Sequence, residues 1–157
     1  MLTPASCGFH PPRAGLAGDC AGLRQAHAAE RLAAEVDERL AGTGIRLVQR
    51  AAEADVIVAL HDEGFHRRLR STSPVRGEEA EYELSYRVRV AWRTPGEDAA
   101  PAPQPLEFRL DYGYRLEALL GQMQEIKLLE RELLRRAGNV LLQRLARCGA
   151  TTPPPAA

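Results

Sequence analysis

The stretch 76–92, RGEEAEYELSYRVRVAW, alternates between apolar and polar residues with a period of two. Tyr82, Leu84, Tyr86, Val88, Val90 and Trp92 fall on one side, and Glu81, Glu83, Ser85, Arg87, Arg89 and Ala91 on the other. Such a pattern, rich in β-branched and aromatic residues, predicts a long strand buried on one face. Its alternating part spans about 35 Å at about 3.3 Å per residue. A strand of that length needs partner strands along both edges and an apolar cover on one side only. The remaining segments are read by how they can supply these.

The chain has 157 residues, enough for one domain with a real core. Its 21 basic and 21 acidic residues cancel, so bulk charge supplies no general attraction to nucleic acid or to an anionic membrane surface. No apolar run approaches the roughly 20 residues needed to cross a bilayer as a helix. Cys7, Cys20 and Cys148 include no closely spaced pair of the zinc or redox kind, and their odd number leaves one unpaired or otherwise used.

Residues 1–20 are rich in Pro and Gly and read as a lead-in. From about 24 to 41, Ala29, Leu32, Ala33, Val36 and Leu40 recur at helical spacing, and Gly42 and Gly44 end the pattern. Residues 45–48 read as a connection or edge strand. Residues 55–70 begin as a buried strand and pass Gly64, where a bulge would re-aim it. A turn over 71–77 joins this strand to the alternating stretch as an antiparallel hairpin. After a Pro- and Ala-rich loop, residues 106–114 alternate again as a third strand. Residues 116–147 form the longest helical pattern, with Leu119, Met123, Ile126, Leu129, Leu133, Ala137, Val140, Leu141 and Leu145 as its apolar stripe. Gly138 within it weakens the helix by about 1 kcal/mol and permits a close helix contact. The reading is an α+β two-layer sandwich, with two helices on one face of a mostly antiparallel sheet of three to four strands. A lead-in over 1–20 precedes a single domain over 21–148, and the composition of 149–157 predicts a disordered tail.

Candidate chemistry is sparse. His61 and His66, with Asp62 and Glu63 between them, would point to opposite faces of a regular strand and so make no metal site. The motifs G-x-S-x-G, G-x-x-x-x-G-K-[ST] and G-x-G-x-x-G are all missing. Carboxylates alternate with arginines as on a solvated surface, so the reading is not an enzyme. Arg67, Arg68, Arg70 and Arg76 bracket the hairpin turn. They either clamp phosphates or keep the tip of a sheet soluble.

Three pieces in order then carry a resemblance. Ala5-Ser6-Cys7-Gly8-Phe9-His10 resembles the cleavage site and mature start of the LPS-assembly lipoproteins of the LptE (RlpB) family. Arg76-Gly77 followed by EYELSYRV is similar to that family's central strand, and ELLRRAGNVLLQRL resembles its closing helix. The resemblance implies a lipoprotein of the outer membrane, facing the periplasm and anchored by covalent lipid on Cys7 without other cofactor. A signal segment encoded ahead of Met1 is then expected. It further implies partnership with the LptD β-barrel, which such a protein plugs and helps assemble, and binding of lipopolysaccharide but not of nucleic acid. Arg76 corresponds directly to a family LPS contact, and Arg67, Arg68 and Arg70 join it by proximity. Gly121 falls about where the family has a second basic residue, so Lys127 is the nearest substitute. The alternative is a soluble, non-enzymatic interaction module of the same architecture with no role in LPS handling.

The strand reading has a direct test. Val88→Asp would bury an unpaired charge and should destabilise the fold by about 3–5 kcal/mol. A variant that unfolds at the wild-type denaturant concentration would reverse the assignment of the strand's faces.

Overall fold

The computed structural model describes residues 20–41, 43–72, 79–97, 101–115 and 119–147. Strand β1 (Cys20–His27) leads into helix α1 (Glu30–Leu40), short strand β2 (Ile45–Leu47) and one 3-10 turn (Ala51–Glu53). Then come strands β3 (Val56–Thr72), β4 (Glu79–Arg93) and β5 (Gln104–Arg115), and helix α2 (Leu119–Ala146). The alternating stretch is β4. It pairs antiparallel with β3 on one side and β5 on the other.

Two expectations are corrected. Among the described residues the sheet has five strands in the order β2-β1-β3-β4-β5, and it is mixed, because β1 runs parallel to both β2 and β3. The helical pattern read from residue 24 also starts too early, since β1 occupies Cys20–His27 and the helix begins at Glu30. Composition hides this strand. Gly22 faces the helices, where its Cβ position lies 3.6 Å from Leu145 Cδ2, and Arg24 donates from Nη2 to Asp37 of α1 at 2.6 Å. With small and polar residues on its helix side, β1 lacks the apolar alternation of a strand. Pairing on both edges determines its conformation instead.

Both helices lie on one face of the sheet. Leu32, Ala33, Val36 and Leu40 of α1 and Leu133, Ala137, Leu141 and Leu145 of α2 pack into one core with Leu84, Tyr86, Val88 and Val90 of β4. Tyr86 and Val88 are 0% and 1% exposed, as the period of two requires. The α2 stripe differs in its first turn, where Met123 is exposed and Gln122 takes the buried position. Gly138 sits where the helices meet. A Cβ there would lie 3.2 Å from Glu35 Cγ and 3.3 Å from Arg39 Nη1. Arg39 fastens the same contact by donating to Arg135 O at 3.1 Å and to Asn139 Oδ1. On the opposite face, Val48 and Ala54 cover Ala21 and Ile57 in a smaller cluster.

No side chain of α1 caps its own N-terminus. Glu63 of β3 does so from across the fold. Its carboxylate accepts from the backbone N–H groups of Arg31 at 2.7 Å and Leu32 at 3.1 Å, and from the Tyr86 hydroxyl at 2.6 Å. Glu63 N in turn donates to Ala28 O at 3.0 Å. Burial, and then the adjacent Glu63 carboxylate, raise the Tyr86 phenol well above its usual 10.0. That contribution to stability is complete below pH 10 and is lost as pH rises beyond it.

Glu63→Ala should therefore destabilise the fold by about 2–4 kcal/mol, because it removes a helix cap and orphans a buried hydroxyl. Glu63→Gln, which keeps an acceptor but not the charge, should lose less. Denaturant titration of the two variants checks the order.

Candidate functional site

Beyond Gly64 the three long strands continue as an arm whose faces are fixed by two register shifts in β3. His61 pairs with Arg89 and Gly64 with Arg87, so β3 takes three steps where β4 takes two. The extra residue is a bulge, with Asp62 at φ 51°. It moves His66 onto the face that His61 occupies. The opposite-face expectation is thus corrected, although Gly64 was the right marker for the bend. His61 stacks on His27 of β1, with ring centroids 4.9 Å apart. Among the described residues no group of three or more His, Cys, Asp or Glu side chains is placed to hold a metal ion. A second shift, between Leu69 and Ser71, leaves Arg70 as the extra residue.

The arginines expected at the hairpin are divided between the faces. Arg67 lies on the helix side with its guanidinium 3.8 Å from the centroid of the Tyr82 ring, and Tyr82 stacks on Tyr112 at 5.8 Å. Cation–π contacts of this kind are worth about 0.5–1 kcal/mol at exposed sites. Leu69, on the same side, is half exposed. Arg68 and Arg70 both converge on Glu83, at 3.3 and 3.8 Å. Glu83 is only 12% exposed, so the two cations flank a carboxylate that is largely covered while remaining at least half exposed themselves. Arg76 and Cys7 lie outside the described residues. Lys127 is exposed on α2.

The polar face of the arm is a ladder of ion pairs across strands. Glu107 accepts from Arg87 Nε and from Arg109 Nη2, both at 2.8 Å, and Arg89 pairs with Asp62. Hydrogen bonds from Arg109 and then Arg87 hold the Glu107 carboxyl down at about 2. The same pairing raises the Arg109 guanidinium above its already high value. Glu83 and Glu107 were legible only as members of an alternating charged face. That each serves two arginines depends on the pairing register.

A mixed sheet covered on one face by two helices, and continued by an arm of paired charges, defines a two-layer α+β domain. The chain belongs to the LptE lipopolysaccharide-assembly family, whose model matches residues 20–145. Members are lipoproteins that act in LPS assembly without catalysis or a cofactor. Rare lipoprotein B from Shewanella oneidensis is similar at 29% identity and a TM-score of 0.69, over 80% of this chain and 93% of that one. The fold is shared with a lipoprotein B from Nitrosomonas europaea, at 20% identity and a TM-score of 0.65 over 92% and 94% of the chains. It is shared as well with a minor lipoprotein from Acinetobacter baumannii, at 15% and 0.63 over 80% and 90%. No curated protein matches the sequence. Among the described residues no helix is long and apolar enough to cross a membrane.

The ladder predicts a titration. Glu107 should titrate at about 2 by carboxyl-carbon NMR, and Arg109→Ala should move it up toward the usual 4.5. Because the folded value lies below the unfolded one, the ladder's contribution is present above pH 4.5 and is lost as pH falls through about 2. A value that stays put in Arg109→Ala would mean that the pair does not form in solution.

Proposed function

We propose that this chain is an outer-membrane lipoprotein on the periplasmic face, anchored by lipid on Cys7. It plugs and helps assemble the LptD β-barrel and binds lipopolysaccharide in transit to the cell surface. Family membership supports the general role. The arm is the observation that carries the binding role, because it presents arginines beside exposed apolar surface. An LPS molecule offers matching chemistry, with phosphates joined to acyl chains. Arginine pairs with phosphate bidentately, and such bonds form and break without covalent change. The ladder of alternating charge on the arm's other face suits the polar interior of a large barrel.

The cations are not equivalent in this reading. Arg68 and Arg70 share the Glu83 carboxylate and must give up part of that pairing to engage phosphate. Arg67 lies on the aromatic side, and Arg76 falls in the sequence between β3 and β4. Lys127 provides the second basic contact, from α2.

Arg76→Asp should weaken binding of purified LPS by about ten- to a hundredfold, given about 1.5–3 kcal/mol for a hydrogen bond to a charged group. Co-purification with LptD should be unchanged. Arg68→Ala should cost less. Wild-type LPS affinity in Arg76→Asp would remove this residue from the site. Loss of LptD co-purification would assign it to the barrel contact instead. In cells lacking LptD, Cys7→Ser should release the protein from the membrane.

A further inference from the structure

The two edges of the sheet differ. β2, at one edge, is three residues long. β5, at the other, is twelve residues long, and among the described residues it is paired along one side only, with β4. Every second residue of β5 therefore points its backbone N–H and C=O away from the sheet. Proteins protect such an edge by keeping it short or by charging it, and like charges placed opposite each other repel a second copy. The charges on β5 are of both signs. Glu107, Arg109 and Asp111 lie on its polar face, and all three are exposed. Glu107 and Arg109 pair with each other at 2.8 Å. Asp111 stands opposite a like charge, Glu83 of β4, and among the described residues it makes no ion pair or hydrogen bond.

We propose that β5 is an interaction surface for a second copy of this chain, the two β5 strands pairing antiparallel about a two-fold axis at Leu110. Such an axis sets one residue opposite itself, and each residue before it opposite the one equally far after it. It passes through a residue rather than between two, because only then do outward-pointing backbone groups meet outward-pointing ones. Centred on Leu110, it brings Arg109 of each copy to Asp111 of the other and Phe108 to Tyr112. Opposite charges and aromatic pairs across strands stabilise an antiparallel sheet. Leu106, Phe108 and Leu110 are only partly buried against the core, so the joint also covers apolar surface. The neighbouring registers are worse. An axis at Arg109 sets Glu107 against Asp111 and Arg109 against itself, and one at Asp111 sets that carboxylate against itself. An axis at Phe108 leaves Asp111 opposite Pro105, which has neither a charge nor an N–H to offer.

The helices permit this approach. α2 begins soon after β5 ends and reaches Gly22 of β1 with Leu145, so it leaves the β5 edge as it crosses the sheet. Antiparallel pairing sets the two helix starts at opposite ends of the joint. The two five-stranded sheets become one continuous sheet, with the helices of both copies on the same face. The proposal does not rest on the functional reading. Arg67, Arg68 and Arg70 lie on β3 and Lys127 on α2, so none of them is on the strand that forms the joint.

The test is analytical ultracentrifugation of the full-length protein, with free thiols blocked, over a concentration series that reaches the millimolar range. Wild type should pass from monomer to dimer. Asp111→Arg sets like charges across both symmetric pairs, and so does Arg109→Asp. Each variant alone should associate about tenfold more weakly than wild type. An equimolar mixture of the two restores opposite charges at both pairs and should associate as wild type does. A second measurement needs no variant: amide hydrogen exchange at every second residue of β5 should slow as the wild-type concentration rises. Three results would each overturn the proposal. One is an Asp111→Arg that dimerises as tightly as wild type, and another is a mixture that associates no better than its components. The third is a wild type that stays monomeric with exchange independent of concentration, which would leave this edge to a strand of a different protein. LPS affinity and LptD co-purification are read separately, so a failure of the functional proposal is distinguishable from a failure of this one.

Discussion

Glu63 joins three parts of the fold that the sequence keeps far apart. A helix start without its own cap has orphan N–H groups and a partial positive charge. A buried tyrosine needs an acceptor for its hydroxyl. One carboxylate answers both, and the bulge in β3 aims it at them. The positive φ of Ala28, just ahead of α1, and of Asp62, at the bulge, mark the two ends of this junction. For Ala28, a residue with a Cβ, such a conformation costs about 1–2 kcal/mol, and the hydrogen bond from Glu63 N to Ala28 O helps to hold it. The helix, the bend and the centre of the longest pattern in the chain are thus mutually dependent.

The parts of the fold that follow a regular period were legible in the sequence. Val88 and Tyr86 had to be buried together, and Leu133 and Leu141 had to cover them. The hairpin, the third strand and the long helix came out with small errors at their ends. β1 was not legible, because its stability comes from two parallel partners and its helix side needs Gly22 to admit Leu145. A sequence window sees alanines and an arginine there and reads helix. The mixed sheet was missed with it, since an unseen strand cannot be given a direction.

The site was legible in residue type and not in arrangement. That arginines gather at the hairpin can be read from the letters. That Arg67 faces away from Arg68 follows from the strand period, but the pairing of Arg68 and Arg70 with a single Glu83 depends on the second register shift. The histidines show the same limit from the other side. Counting by twos separates His61 from His66, and one extra residue in β3 places them on the same face. Bulges change parity, and no compositional signal states how many residues a bulge adds.

The strand order also constrains how the chain comes together. β3, β4 and β5 follow one another, so their pairing closes short loops and costs little chain entropy. β1 must instead find Val56, 34 positions beyond its own Gly22, and insert between two strands that lie later in the chain. The arm with its arginines can therefore assemble as a local meander, whereas the N-terminal strand must close loops of 25 and 34 positions to reach β2 and β3. In a protein delivered to its compartment from the N-terminus, the strand nearest the proposed anchor has both its partners once His61 has emerged, while the surface proposed to meet the ligand waits for β5.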